Sequence, residues 1–213
     1  MDSLKNNNMK ISYAITVCNE LEEIKRLVSF LQSTKREEDE ITILLDHSNG
    51  KDEVYKYLLT LPSDIKLNRD KFEGHFADWK NQLTSYCSGD YIFQIDADEM
   101  PTEDLINNLP YILEINPEVD VFLVPRVNTV EGLTQQHIRQ WRWMVNEKGW
   151  VNFPDYQWRV YRNTPNIKWK NKVHEVLEGF KTSTLLPAEE EYCLYHPKTI
   201  SKQEKQNNYY DTL

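Results

Sequence analysis

Apolar residues in the first hundred positions follow two patterns, continuous runs and helical spacing. The runs at Ile11–Val17 and at residues 41–45 and 91–95 contain many β-branched and aromatic side chains, which predicts three buried strands. Helically spaced positions predict helices after the first two runs and before the third: Leu21, Ile24, Leu27, Val28 and Leu31; Val54, Tyr57, Leu58 and Leu61; Phe76, Trp79, Leu83 and Tyr86. Strands that alternate with helices predict an α/β fold with a mainly parallel central sheet flanked by helices.

The second half of the chain has a less regular pattern. We expect a helix over residues 102–114, interrupted at Pro110, and a strand over residues 119–127. Five of the six tryptophans then follow: Trp141, Trp143, Trp150, Trp158 and Trp169. Large aromatic side chains dominate protein cores, although their faces also stack on sugar rings. We therefore expect most of them in the core and at least one at an acceptor site. No repeat or linker interrupts the sequence, which favours a single domain.

Polar residues follow each of the three predicted strands. They are Asn19 and Glu20, then Asp46 and Ser48, and finally Asp96, Asp98 and Glu99. The carboxyl ends of parallel strands meet at one edge of a sheet, where open α/β sheets bind ligands. Carboxylates at such an edge hold Mg²⁺ or Mn²⁺ together with substrate phosphates. The third cluster has an alternative explanation, because acids before Pro101 and Thr102 also suit the start of a helix.

Composition narrows the class of partner and the compartment. The net charge of the 213 residues is −9 and the pI is about 5.1, which argues against nucleic acid as the main partner. A small phosphorylated ligand stays compatible with this charge. Three widely spaced cysteines without a CxxC pair argue against a disulfide framework or zinc site. No apolar stretch reaches the ~20 residues that span a bilayer, and the first ten residues lack the apolar core of a signal peptide. We expect a cytoplasmic protein, with peripheral membrane contact left open.

Five segments of the sequence match a known pattern in order: YAITVCNELEEIKRLVSFL, ITILLDHSNGKDE, FADWKNQLTSYCSGDYIFQIDADE, WRVYRNTPNIKWKNKVHEVLEG and YHPK. Together they resemble the family 2 glycosyltransferases of GT-A (Rossmann-like) fold, in particular the branch of lipopolysaccharide-core and bacteriocin-modifying sugar transferases. The resemblance runs from about residue 10 to about residue 210. It implies one GT-A domain over residues 1–213, with a polar tail at 1–9, a nucleotide-binding half at 10–100 and an acceptor-binding half at 101–213.

The resemblance also implies which residues contact the donor. The base and ribose pocket would be lined by Asn19, Glu20, Asp46 and Ser48. Lys80 and Asn81 would face the ribose or the sugar of the donor, and Asp96 would approach the ribose. The donor implied is a nucleoside-diphosphate sugar, with a UDP-sugar favoured.

Metal binding and proton transfer are assigned from the same resemblance. Asp96, Asp98 and His196 would hold a divalent cation, Mn²⁺ or Mg²⁺. Glu175, in the Val-His-Glu motif, would be the catalytic base, and Asp155, expected in a loop, is the second candidate. Without the resemblance, the alternating KVHEVL segment is typical of a half-exposed strand, on which Glu175 is a surface acid.

Three further residues are candidates for contacts with the acceptor or the phosphates. Trp158 offers an aromatic face, and Arg159 offers forked donors that suit a phosphate or a neighbouring carboxylate. His174 would orient the acceptor or a phosphate, whereas a lone histidine is more often a hydrogen-bonded structural residue.

The function implied is metal-dependent, inverting transfer of a sugar to a hydroxyl of a glycan, a lipid-linked sugar or another acceptor. Two alternatives stay open. A nucleotidyltransferase also places acids after a strand, but it normally has a Gly-rich basic loop after the first strand, where this chain has Cys18, Asn19 and Glu20. A non-catalytic nucleotide-sugar-binding module on the same fold is the second.

Overall fold

The computed structural model describes residues 9–210, with side chains described to Lys205 and at Asn207. The strands are β1 Ile11–Val17, β2 Glu40–Asp46, β3 Lys66–Asp70, β4 Tyr91–Asp96, β5 Met100–Pro101, β6 Val121–Glu131, β7 Val151–Arg162, β8 Lys168–Lys170, β9 Val176–Glu178, β10 Ser183–Leu185 and β11 Leu194–Thr199. The helices are α1 Leu21–Thr34, α2 Asp52–Leu58, α3 Phe76–Ser85, α4 Glu103–Ile115, α5 Gln135–Trp141 and α6 Ile200–Tyr210, with a 3₁₀ helix at Glu190–Tyr192.

The main sheet has the strand order β3-β2-β1-β4-β7-β6-β11-β5, and β10 pairs with β6. Strands β3, β2, β1 and β4 run parallel to one another, so their carboxyl ends lie at one edge. Strand β7 runs antiparallel between β4 and β6, and β11 returns parallel to β6. The three predicted strands are therefore adjacent, and the predicted α/β fold with a mostly parallel sheet is confirmed.

Helices cover both faces of this sheet because the side chains of each buried strand alternate in direction. Along β1, Ile11, Tyr13 and Ile15 pack in one cluster with the apolar faces of α1, α2 and α4. Ala14 points to the other face and packs in a second cluster with α3 and with Trp169 of β8. The continuous apolar runs of the sequence thus reflect strands that are buried on both faces.

The structure corrects several predicted boundaries. Helix α4 runs through Pro110, because a buried apolar face on either side of the proline holds it against the sheet. Strand β6 begins at Val121 and continues to Glu131, and Leu61 lies beyond the end of α2. Strand β3 was not predicted, since it is an edge strand of largely polar and exposed residues.

Two smaller elements complete the surroundings of the carboxyl edge. Strands β8 and β9 form an antiparallel pair beside α3. Helix α5 has a capping box at Thr134 and His137, and the His137 ring lies 3.7 Å from Glu204 of α6. Between Met9 and Tyr210, none of the helices is both long enough and apolar enough to cross a bilayer. The predicted polar tail lies outside the described residues, apart from Met9.

Candidate active site

A cavity of about 660 Å³ lies at the carboxyl ends of β1, β2 and β4. Its walls come from both halves of the chain, including β6, β7, β11 and α6. Ten of the predicted site residues line it: Glu20, Asp46, Lys80, Asp96, Asp98, Trp158, Arg159, His174, Glu175 and His196. Four do not: Asn19, Ser48, Asn81 and Asp155.

The corner between β1 and β2 is a network of hydrogen bonds around Asp46. The carboxylate of Asp46 accepts hydrogen bonds from Ser48 Oγ at 2.7 Å, from Asn49 Nδ2 at 3.1 Å and from the backbone N of Phe72 at 3.2 Å. Burial acts to raise the pKa of Asp46, but these hydrogen bonds outweigh it and hold the pKa below its usual range. Ser48 therefore orients Asp46, and Asp46 presents its carboxylate to the cavity.

Two side chains shape the turn after β1. The Glu20 carboxylate accepts hydrogen bonds from the backbone N of Cys18 and of Asn19, both at 2.9 Å. Asn19 Oδ1 accepts from the backbone N of Lys51 at 2.9 Å, which links this turn to the start of α2. Asn19 thus fixes the wall of the cavity from behind.

Asp96, the last residue of β4, is an ion-paired carboxylate at the floor of the cavity. Thr16 Oγ1 donates to Asp96 Oδ1 at 3.1 Å, and Arg159 Nη2 lies 2.9 Å from Asp96 Oδ2. Burial acts to raise the pKa of Asp96, whereas the charge of Arg159 lowers it, and the resulting pKa is about 2. Asp96 is therefore ionised at neutral pH, with much of its charge already balanced by Arg159.

Asp98 faces a different pair of residues, His196 of β11 and Lys202 of α6. His196 Nε2 lies 3.5 Å and Lys202 Nζ lies 3.0 Å from the same oxygen, Asp98 Oδ2. The other ring nitrogen of His196 lies 2.9 Å from Asn128 Oδ1. An amide oxygen only accepts hydrogen bonds, so His196 Nδ1 carries a proton and Nε2 is directed at Asp98. Burial acts to raise the pKa of Asp98, but His196 and Lys202 hold it far below its usual range.

The pair Asp98 and His196 fits the protein part of a divalent cation site. A carboxylate oxygen and an imidazole nitrogen suit Mn²⁺, and Mg²⁺ or Mn²⁺ commonly takes its remaining ligands from substrate phosphates and water. Within residues 9–210, no group of three or more His, Cys, Asp or Glu side chains is arranged to hold a metal by itself. Asp96, the third predicted ligand, is engaged by Arg159.

Below the cavity floor lies a buried network of arginines and acids. Glu99 is 1% exposed and contacts Arg159 Nη2 at 2.7 Å and Arg126 Nη1 at 3.1 Å. Arg126 Nη2 in turn lies 2.8 Å from Asp155 Oδ2, which also accepts from Asn128 Nδ2 at 2.8 Å. The third acid of the IDADE motif thus points into the core, where it holds the two arginines in place.

The prediction that Asp155 lies in a loop is wrong, because Asp155 is within β7. Burial acts to raise the pKa of Asp155, but the neighbouring Arg126 and Asn128 hold the pKa below its usual range. A carboxylate with a lowered pKa and with hydrogen bonds at both oxygens is a weak base. The geometry therefore favours a structural role for Asp155.

Glu175 also lines the cavity, in the turn between β8 and β9. Lys80 of α3 places its Nζ 2.8 Å from Glu175 Oε1 and 4.5 Å from the centre of the Trp169 ring. The preceding residue, His174, has a φ of 55°, which turns the chain and makes this segment a bend where the alternating pattern suggested a strand. The turn directs Glu175 into the cavity and orients it with a buried ammonium group.

Asn81 supports this part of the cavity wall from behind. Its Nδ2 donates to the carbonyl of Trp169 and its Oδ1 accepts from the Trp169 backbone N, both at 2.9 Å. Both ends of the amide are thereby used to attach β8 to α3. A contact between Asn81 and a donor stays a prediction, and the geometry supports a structural role.

Several cavity residues were not assigned to the site from the sequence. Phe72 and Trp143 add aromatic faces to those of Trp158 and Trp169, and Lys198 and Lys202 bring cations from the last strand and helix. Burial lowers the pKa of Lys198 to about 8. Trp143 is one of the five clustered tryptophans, but the sequence did not distinguish it from those in the core, and Phe72 lies in a segment without a clear periodic pattern.

A mostly parallel sheet with helices on both faces and an acid-lined cavity at its carboxyl edge defines an α/β protein of the nucleotide-binding type. The model of glycosyl transferase family 2 matches residues 12–182 of this chain. The chain belongs to that family, and its architecture is the GT-A fold. None of the curated proteins matches the sequence closely.

Solved structures share this fold at low sequence identity. The crystal structure of S. aureus TarS 1-349 superposes with a TM-score of 0.59 and 15% identity, covering 89% of this chain and 60% of that one. The structure of TarS 1-349 in complex with UDP-GlcNAc superposes with a TM-score of 0.60 and 14% identity, covering 89% of this chain and 59% of that one. The complex with UDP superposes with a TM-score of 0.59 and 14% identity, covering 89% of this chain and 60% of that one. The chain thus spans about three fifths of the length of the structures that it matches.

Proposed function

We propose that this protein transfers a sugar from a nucleoside-diphosphate sugar to an acceptor hydroxyl, with inversion and with a divalent cation. The observation that carries the proposal is one cavity that is lined both by the pair Asp98 and His196 and by Glu175. Family membership supports glycosyl transfer as the reaction. A UDP-sugar is the favoured donor, because solved structures of the same fold are complexes with UDP-GlcNAc and UDP.

Different cavity residues would accept the hydroxyl proton and stabilise the departing diphosphate. The acceptor oxygen attacks the anomeric carbon, the bond from that carbon to the diphosphate oxygen breaks, and the hydroxyl proton passes to Glu175. Lys80 orients Glu175, and the buried Arg159 holds Asp96 ionised. Asp98 and His196 would hold the cation, which supplies positive charge to the departing diphosphate.

The remaining surfaces fit the two substrates. Asp46 and Glu20 face the base and ribose end of the cavity, while Asn19 and Ser48 hold their positions. Trp158 and His174 line the cavity and are proposed to face the acceptor, because an aromatic face suits a sugar ring. The acceptor class proposed is a glycan, a lipid-linked sugar or another hydroxyl compound.

The proposal also covers the roles of the two halves of the chain, the branch of the family and the cellular location. Residues 10–100 would bind the nucleotide and residues 101–213 the acceptor, in a branch related to lipopolysaccharide-core or bacteriocin-modifying sugar transferases. The described structure has Cys18, Cys87 and Cys193 as free thiols, which supports a cytoplasmic location.

A panel of nucleotide sugars with Mn²⁺ tests the proposal, read out as released nucleoside diphosphate and as donor binding by calorimetry. Hydrolysis of one donor that stops when EDTA is added supports the transferase. Release of pyrophosphate from nucleoside triphosphates would identify a nucleotidyltransferase. Tight donor binding without turnover, with any acceptor hydroxyl compound, would identify a binding module.

A further inference from the structure

Lys202 connects the last helix to the acidic motif at the centre of the cavity. It lies 104 positions along the chain from Asp98, yet its Nζ is 3.0 Å from Asp98 Oδ2. The same oxygen faces His196 Nε2 at 3.5 Å. The Lys202 side chain is 41% exposed while that of Asp98 is 19% exposed, so the lysine reaches inward from the rim.

One oxygen cannot hold both an ammonium group and a divalent cation at contact distance, because the two cations repel each other strongly in a partly buried site. A cation bound between Asp98 and His196 therefore requires Lys202 to leave Asp98. Lys202 and the next residue, Gln203, both line the cavity, so a new position of the Lys202 ammonium would lie within the same space. An ammonium on a flexible four-carbon stem suits a phosphate as its new partner.

We propose that Lys202 is a donor-binding residue that occupies Asp98 until the divalent cation arrives and then pairs with the diphosphate of the donor. The inference rests on the proposed function, because it takes the donor to carry a diphosphate. It assigns α6 to the donor site, although α6 lies beyond residue 182, where the family match ends.

The position of α6 supports this role. Glu204, two residues after Lys202, lies 3.7 Å from His137 of α5. The His137 ring stacks on Trp141, which contacts Trp143 on the cavity wall. The helix that carries Lys202 is thus connected through α5 to Trp143, which lines the same cavity as Lys202.

The first measurement is Mn²⁺ binding without nucleotide, by electron paramagnetic resonance, on the wild-type chain and on the K202M, K202Q, K202R and K205M variants. Loss of the competing ammonium should tighten Mn²⁺ binding by K202M and K202Q about tenfold. K202R keeps the positive charge and should stay near wild type. Lys205, an exposed lysine of the same helix that does not line the cavity, gives the matched control K205M.

The second measurement is UDP binding at saturating Mn²⁺, by calorimetry. Here K202M and K202Q should bind UDP about tenfold more weakly than wild type, K202R should recover most of the affinity, and K205M should show no change. An increase in Mn²⁺ affinity together with a decrease in UDP affinity distinguishes a residue that moves between partners from a purely structural ion pair. A structural pair would weaken both affinities together or change neither.

Three outcomes would overturn the inference: unchanged Mn²⁺ affinity in K202M and K202Q, weaker Mn²⁺ binding in both, or unchanged UDP affinity. Failure of the proposed function is a separate result, since the wild-type chain would then release no nucleoside diphosphate from any nucleotide sugar of the donor panel. In that case the Mn²⁺ measurement still decides whether Lys202 competes for Asp98, and the UDP measurement still decides whether Lys202 contacts a diphosphate. Thermal melting of each variant identifies any change that reflects unfolding.

Discussion

Both edges of the parallel sheet contain buried carboxylates with cationic partners, and they differ in what those partners do. At the amino edge, Glu40 is 6% exposed and contacts Lys10 at 2.5 Å, Lys66 at 2.9 Å and Ser12 Oγ at 2.7 Å. Glu40 does not line the cavity. Its interactions close the loops that precede the strands.

At the carboxyl edge, the partners of the acids come from the second half of the chain and face a shared space. Arg159 of β7 pairs with Asp96, and His196 and Lys202 pair with Asp98. Each of these residues also lines the cavity. Buried charge alone therefore does not mark a site; a carboxylate marks one when it stays accessible to a ligand from the cavity. Variants at the carboxyl edge should therefore mainly lower activity, and variants at the amino edge should mainly lower stability.

The largest effect is expected at Glu175. We expect E175Q to lower the rate of sugar transfer about 10²–10⁴-fold, because the variant cannot accept the hydroxyl proton. Donor affinity measured by calorimetry should change less than about twofold, since Lys80 and the cavity walls remain. The matched variant D155N should instead lower the melting temperature. Near-normal transfer by E175Q would assign the base to another residue.

The next effect is expected at Asp98. D98N should lower turnover about 10²–10³-fold, because it removes the charged oxygen at the centre of the cavity. The melting temperature should stay within a few degrees, since the side chain is at the cavity surface. Chelation of divalent ions should reduce wild-type turnover to a similar level. Full wild-type activity in excess EDTA would contradict a metal role for Asp98.

Substitution of a buried acid at the amino edge should lower the stability of the fold. We expect E40Q to lower the free energy of unfolding by about 1–3 kcal/mol at pH 7, because it removes the anion shared by Lys10, Lys66 and the buried Ser12. Burial acts to raise the pKa of Glu40, but hydrogen bonds from Lys10 and Ser88 lower the pKa far below its usual 4.5. A lowered pKa stabilises the fold above pH 4.5, and this contribution is lost as the pH falls toward the folded-state value. The difference in free energy of unfolding between wild type and E40Q, measured by urea unfolding, should therefore shrink below pH 4.5. A difference that stays constant with pH would contradict a stabilising role of the Glu40 carboxylate.

The smallest effect is expected at Asn81. N81S should lower the free energy of unfolding by about 1–2 kcal/mol, because two hydrogen bonds to the Trp169 backbone are lost. UDP affinity should stay the same if Asn81 only supports β8. A tenfold loss of UDP affinity with unchanged stability would instead restore the predicted donor contact.

The sequence predicted the first half of the fold well for a physical reason. Strands β1, β2 and β4 are buried on both faces, so their continuous apolar runs are visible without any alignment. The polar residues after each run must meet at one edge because the strands are parallel. Strand β3, polar and exposed, gave no such signal.

What each acid does was decided by tertiary structure. Asp96, Asp98 and Glu99 are neighbours in sequence, yet Arg159 neutralises the first, His196 and Lys202 face the second, and the third is buried beneath two arginines. Those partners lie 27 to 104 positions away along the chain. Local sequence determines that a cluster of carboxylates follows a strand, because apolar burial and chain direction are local properties. Which carboxylate keeps an accessible charge depends on distant cations, and only the packing of the second half against the first brings them together.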